Sequence, residues 1–253
     1  MHIVTCGDGR GGTNSLGRAD DGPTFKEMIA VSARQAQRLG YRMSIFDLGG
    51  LGMGEAFSIE DPTFLAQGYY REISPLYKSK ALHKPLVVKK ALSRDDLLLY
   101  LDGDAILARP LDDLAADFDL AVTLRLPYEL TTNYWRATRS ITNTINAGVI
   151  LFRASPTVYD FIDRWNALSQ RLGSDQWALN ELVAPPGLDA VGSIQVRDGL
   201  RVLYLSSRQY NFYHFRAEPP SAETRIFHFK SGVRSEFWRL FPDDGRAAPP
   251  GRG

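Results

Sequence analysis

The chain has 253 residues, 44% of them hydrophobic, enough to bury roughly three quarters of its unfolded surface in one core. Its 30 Lys and Arg stand against 29 Asp and Glu, and a net charge of +1 excludes the broad basic surface that nonspecific nucleic-acid or membrane binding needs. One cysteine, Cys6, excludes an intramolecular disulfide framework and a Cys-rich zinc site. With no basic and apolar leader and no apolar run of spanning length, this predicts a cytoplasmic protein without a transmembrane segment.

Residues 2–6 read as a short buried strand running into a glycine-rich stretch at 7–12. Thr24 and Glu27 form a capping box ahead of Phe25, Met28, Ile29, Ala33, Ala36 and Leu39 at helical spacing, and Gly40 ends that helix. A second strand spans 42–47. Asp61 with Pro62 and Ser74 with Pro75 are helix starts, the second continuing with a break past Pro85 to Leu92. Residues 97–101 are a buried strand ending in Asp102, Gly103 and Asp104. After Pro110 come a short helix, a strand at 120–124, a polar and aromatic stretch with Tyr128, Tyr134 and Trp135, and a strand at 148–152. Ser155 and Pro156 open an amphipathic helix carrying Val158, Phe161, Ile162, Trp165 and Leu168. Asp175 starts a short helix to Leu182, strands follow at 202–205 and 225–229, and residues 242–253 have the composition of a disordered tail. Strands alternating with helices predict a single α/β domain over residues 1–241. Its sheet is mostly parallel and flanked by helices, with ligands at the carboxyl ends of the strands.

The main chemical signal is the pair Asp102 and Asp104. In an extended chain residues two apart point the same way, so both carboxylates would leave the strand together, with Gly103 keeping the space between them open. Two hard oxygen ligands suit Mn²⁺ or Mg²⁺ with coordination positions left for phosphate oxygens; an Asp-Gly-Asp turn is the structural alternative. His228 ends a strand-like run and is positioned to complete such a site, while Lys230, Gly232 and Arg234 after it have the composition of an anion-binding loop. Asp175 reads first as a helix N-cap, and Asn146 either as a polar turn before a strand or as a sugar-binding amide.

These stretches resemble the GT-A fold nucleotide-sugar glycosyltransferases, and family 8 in particular. The likeness rests on the Asp-x-Asp ending a buried strand, on Phe46-Asp47-Leu48-Gly49 and on Lys84-Pro85-Leu86. It rests also on Asn146-Ala147-Gly148 opening a strand, on Asp175-Gln176 followed by Leu179-Asn180, and on the loop from His228 to Arg234. It spans roughly residues 1–240 and departs from the commonest pattern in an extra residue between His228 and Gly232 and in Arg234 where lysine is usual. The resemblance implies transfer of a hexose from a nucleoside diphosphate sugar, a UDP sugar, to an unidentified glycan, lipid-linked sugar or small-molecule acceptor. It also implies retention of configuration, with Mn²⁺ or Mg²⁺ on the diphosphate.

Carried onto this chain, the resemblance gives the metal to Asp102, Asp104 and His228. The donor falls to Thr5, Cys6, Gly7, Asp8, Lys84, Asp102, Gly103, Asn146, Ala147, Lys230, Gly232 and Arg234. Gln176 lies near the anomeric carbon and Asp175 bonds sugar hydroxyls. Lys230 and Arg234 offset charge on the leaving diphosphate.

Three other chemistries are weaker. Gly7-x-Gly9-x-x-Gly12 matches a dinucleotide fingerprint with Asp47 as ribose acid, but residues 13–23 separate its glycines from the helix that should receive the pyrophosphate. A haloacid-dehalogenase-like phosphatase would use Asp102 as nucleophile and Asp104 as general acid, yet Ile106 stands where Thr or Val is usual and no later Asp-Asp on an apolar strand completes its metal site, the 243–244 pair falling in the tail. A noncatalytic sugar-binding domain would not need the diphosphate residues.

Overall fold

The computed structural model describes residues 1–8, 22–57, 83–111, 114, 117–131, 143–230 and 233–242. The helix starts at Asp61 and Ser74, Tyr134, Trp135, Gly232 and the tail beyond Pro242 lie outside the described residues, as does part of the short helix expected after Pro110.

Strand β1 (His2–Gly7) leads to helix α1 (Phe25–Arg38), then β2 (Arg42–Asp47), β3 (Glu55–Ala56), α2 (Lys84–Leu92), β4 (Leu97–Asp102) and β5 (Ala105–Leu107). Next come β6 (Leu120–Leu124), β7 (Ile145–Arg153), α3 (Pro156–Leu172) and α4 (Asp175–Val183). The chain closes with β8 (Ile194–Arg197), β9 (Leu200–Ser206), α5 (Ser207–Tyr210), β10 (Ile226–His228) and α6 (Phe237–Leu240). Helix α1 starts as its sequence requires: Thr24 accepts from the Glu27 amide at 3.2 Å, and the Glu27 carboxylate accepts from the Thr24 amide at 2.7 Å. Helix α3 starts on Ser155 and stops at Gly173, whose φ of 67° a residue with a side chain adopts only at a cost.

Eight strands form one sheet in the order β3-β2-β1-β4-β7-β6-β9-β8. All run in one direction except β7 and β8, so the sheet is mixed and mostly parallel, as the sequence predicts. Alternation along the strands sorts the core. Val4, Leu98 and Tyr100 meet α2, α3 and α4 on one face, while Ile3, Leu99 and Leu101 line the other with Ala36 of α1. Chain order reverses between β1 and β4, the strands that lie side by side with β2 beyond one and β7 beyond the other. Such a reversal opens a crevice at the carboxyl ends of the strands.

Two departures from the sequence reading bear on that crevice. Strand β7 begins at Ile145, so Asn146 lies inside a strand and not in a turn before it. Its pairing with β6 also jumps, Val122 facing Ile150 but Thr123 facing Asn146, which leaves residues 147–149 without partners in β6. Second, β10 pairs antiparallel with β5, which follows the acidic motif directly, and this brings His228 opposite Ala105.

Candidate active site

Asp102 is the last residue of β4, opposite Cys6 of β1, and it continues the face that Tyr100 and Leu98 present to α2. Gly103 and Asp104 form a turn into β5, so the two carboxylates meet through that turn and not through strand alternation. Gly103 has another reason to lack a side chain: a Cβ there would come within 3.1 Å of Phe25 and 3.2 Å of Ile29, so its absence lets α1 close against the motif. The β5–β10 register then delivers His228, whose Nε2 is 3.0 Å from Asp104 Oδ1 and 4.0 Å from Asp102 Oδ2. One ligand atom from each of Asp102, Asp104 and His228 lies within 4.8 Å of the others.

These residues fit a divalent ion on two observations. Gly148 leaves the space: a Cβ there would stand 2.3 Å from His228 Cε1 and 3.0 Å from Asp102 Oδ2. His228 Nδ1 faces Asn211 Oδ1 at 2.8 Å, and Asn211 Nδ2 donates to Thr123 Oγ1 at 2.8 Å. A proton therefore belongs on Nδ1, and Nε2, which faces the acids, is the nitrogen that an ion bound there would meet. Burial alone would raise the Asp104 carboxyl, but His228, Arg234 and Lys230 outweigh it and hold the group well below the usual carboxylate range.

Lys84, at the start of α2, occupies the interior of the site. Its Nζ lies 2.9 Å from Asp102 Oδ1, 2.7 Å from Asp175 Oδ2 and 2.8 Å from the Ala147 carbonyl. Burial lowers its proton affinity, and the two carboxylates more than restore it, so the ammonium stays charged. Donating to the Ala147 carbonyl and ion-paired with both carboxylates, Lys84 holds Asp102 and Asp175 in place. Asp175 is not the N-cap of α4. Ser174 is, accepting from the Trp177 amide at 3.2 Å, which leaves the Asp175 carboxylate to pair with Lys84. The next residue, half-buried Gln176, contacts the Ala147 amide through Oε1 at 3.4 Å.

Thr5, Cys6, Gly7 and Asp8 sit at the carboxyl end of β1, beside Asp102, with Thr5, Cys6 and Asp8 buried. The Cys6 thiol contacts the Tyr100 hydroxyl at 3.4 Å and that hydroxyl donates to Asp102 Oδ1 at 3.2 Å; burial pushes the thiol up to about 12, so it keeps its proton. Lys230 lies over the Tyr213 ring at 3.5 Å, and burial, with Arg125 nearby, lowers its ammonium to about 7. Arg234 is buried against the Phe25 ring at 4.6 Å. Asp47 is used up elsewhere: its carboxylate accepts the amides of Gly49 at 2.7 Å, Leu51 at 3.1 Å and Gly52 at 2.9 Å, which argues against a ribose-binding role.

Sequence reasoning did not single out Gly148 as the cradle, Asn211 and Thr123 behind His228, or Tyr100 behind Asp102. Gly148 was visible inside the Asn-Ala-Gly motif, whereas Asn211 carries no local signal and reaches the site only through tertiary pairing.

Arrangement and sheet order together define the GT-A fold, with the acidic motif at the crevice between β1 and β4 and the histidine brought in from β10. Among solved structures, a glycosyltransferase involved in the glycosylation of the major capsid of PBCV-1 superposes on 96% of this chain and 99% of its own. That match has a TM-score of 0.54 and 11% sequence identity. The galactosyltransferase LgtC, solved in complex with donor and acceptor sugar analogues, matches over 92% of this chain and 87% of its own, with a TM-score of 0.49 and 18% identity. No family model and no curated protein matches the chain. No helix among the described residues is long and apolar enough to cross a membrane.

Proposed function

We propose that this protein is a glycosyltransferase that moves a hexose from a nucleoside diphosphate sugar, a UDP sugar, to an acceptor with retention of configuration, using Mn²⁺ or Mg²⁺. The observation that carries the reading is the convergence of Asp102, Asp104 and His228 at the crevice, backed by the Lys84 pairs with Asp102 and Asp175. A divalent ion bound there supplies positive charge to the diphosphate oxygens.

The rest falls to the chain's own residues. Lys230 and Arg234, both among the charges felt by Asp104, lie on the side where negative charge grows on the leaving group. Asp175 accepts hydrogen bonds from sugar hydroxyls, and its ion pair with Lys84 holds the carboxylate in place. The amide oxygen of Gln176 faces the positive charge that develops at the anomeric carbon. Thr5, Cys6, Gly7 and Asp8 form the floor for the nucleotide, and Asn146 and Ala147 border the sugar. In retention by front-face displacement, the bond to the diphosphate breaks as the acceptor oxygen attacks from the same side, and the departing phosphate oxygen takes the acceptor proton.

A hydrolysis screen over nucleotide sugars, with and without Mn²⁺, tests the class: one donor should be cleaved, and only with metal. Asp102→Asn and Asp104→Asn should each abolish both the cleavage and the thermal shift that UDP with Mn²⁺ produces, because an amide is a much poorer ligand for a hard cation. If both variants keep the wild-type shift and activity, the metal assignment is wrong. Phosphate release from simple phosphoesters would favour the phosphatase instead, and a β-linked product from an α-linked donor, read by NMR, would refute retention.

A further inference from the structure

We infer that Asn143 is a positioning residue for Gln176, fixing which end of that amide faces the crevice. The two ends of a glutamine amide have nearly the same shape and opposite chemistry, the oxygen accepting and the nitrogen donating. A side chain meant to present its oxygen to a positive centre needs something that forbids the reversed orientation. Helix α4 and the residues leading into β7 supply a chain of bonds with only one consistent polarity.

The chain is anchored on backbone groups, which admit no ambiguity. Asn180 lies one helical turn after Gln176 on α4, and its Oδ1 accepts the Ile145 amide at 2.8 Å. Its Nδ2 donates to the Ile145 carbonyl at 3.1 Å and to the Gln176 carbonyl at 2.8 Å. A backbone N–H only donates and a backbone carbonyl only accepts, so the Asn180 amide has one orientation. The same Nδ2 lies 3.3 Å from the Asn143 side chain; its two hydrogens are shared among three acceptors, and a second amide nitrogen at that place would set donor against donor, so the atom it meets is the oxygen, Oδ1. That oxygen is 3.0 Å from the Gln176 amide, so the end of Gln176 it meets must be the nitrogen, Nε2. Oε1 is left on the opposite side, towards the Ala147 amide. The carbonyl of that same Ala147 receives Lys84, so the amide oxygen sits next to the Lys84, Asp102 and Asp175 cluster.

Two further features single out Asn143. The bond from Ala147 is long, at 3.4 Å, and leaves Oε1 lightly held, so the 3.0 Å bond to Asn143 is what sets the orientation. Asn143 is itself buried, 5% exposed, and its Nδ2 meets no hydrogen-bond partner among the described residues, so within them this side chain is used through its oxygen.

The inference rests on the proposed role of Gln176 in transfer, and the test separates the two. The side-chain amide signals of Gln176, assigned in ¹⁵N-labelled protein by their loss in Gln176→Ala, report the orientation without any turnover. They should be shifted and slow to exchange in the wild type, collapse to free-amide values in Asn143→Leu, and stay shifted in Asn143→Asp, which keeps an acceptor for both amides. With the donor that the hydrolysis screen identifies, Asn143→Leu should lower kcat roughly 10- to 100-fold with KM within about twofold, and Asn143→Asp should recover most of the loss. Unchanged Gln176 signals in Asn143→Leu overturn the inference whatever the kinetics. So does an unchanged kcat in Asn143→Leu when Gln176→Ala has lost turnover. If Gln176→Ala itself keeps full turnover, the transfer role of Gln176 falls and Asn143 has no catalytic group to position.

Discussion

Gly148 occupies a position where a single methyl group would strike two of the residues proposed to hold the ion, His228 and Asp102. A Cβ there would stand 2.3 Å from His228, closer than packed atoms come, and 3.0 Å from Asp102, tight enough that the carboxylate would have to give, and Asn211 and Lys84 hold these two neighbours in place. Gly148→Ala should therefore weaken Mn²⁺ binding about 10- to 100-fold, the range seen when groups that support a metal ligand are altered, as read by electron paramagnetic titration. A second residue-scale expectation concerns Lys230, whose ammonium is lowered from 10.5 to about 7. Its folded value lies below its unfolded one, so it opposes folding most below about pH 7, and this opposition fades as the pH rises towards 10.5. At pH 8 the free lysine is mostly neutral, and an arriving diphosphate should draw a proton onto it. Calorimetry of UDP binding in buffers of different ionisation enthalpy should show net proton uptake that Lys230→Met removes. Equal heats in all buffers for the wild type would count against an anion-binding role.

At the scale of elements, helix α4 shows how a cap and a functional group share one helix start. Ser174 satisfies the Trp177 amide, which frees Asp175 in the first helical position to reach Lys84. Ser174→Ala should cost about 1 kcal/mol in urea denaturation and loosen the Asp175 pair as well. Only the first effect should appear in a variant that also lacks the Asp175 carboxylate, so a double-mutant cycle separates them. The sequence marked this helix correctly but assigned the cap to its neighbour, because Ser and Asp are both good caps and spacing alone does not choose between them. Long elements with regular apolar periods, α1, α3 and β4, were legible almost to their ends. The edge strand β8 and three-residue β5 were not, since Val196 is exposed and β5 follows so closely on Asp104 that it reads as part of a turn. Asn146 misled for a related reason: a polar residue inside a buried strand resembles a boundary until the partners of that strand are known.

The whole molecule places its chemistry by strand order. The Asp-x-Asp ends β4 because β4 lies where the order reverses, and the alternation that buries Tyr100 also turns Asp102 towards Lys84. That part of the site could be read from the sequence, as could the histidine as a candidate ligand. What could not be read was the route by which His228 arrives, because pairing between distant segments leaves no local trace. The β5–β10 ladder is short, three residues on each side, and the first of its strands precedes four of the eight sheet strands in the chain while the second follows all of them.

An ion gripped at the end of that ladder where His228 pairs beside the acids would act as a clasp between stretches of polypeptide made at quite different moments of synthesis. Ligands that bind only the folded form stabilise it by mass action, and here the added stability would fall first on the segment that holds His228. Mn²⁺ should slow proteolytic cutting around β10 and α6 in the wild type and leave the rate unchanged in Asp104→Asn; equal protection in both would mean that the ion binds elsewhere. Metal supply would then govern how long each molecule survives as well as how fast it works.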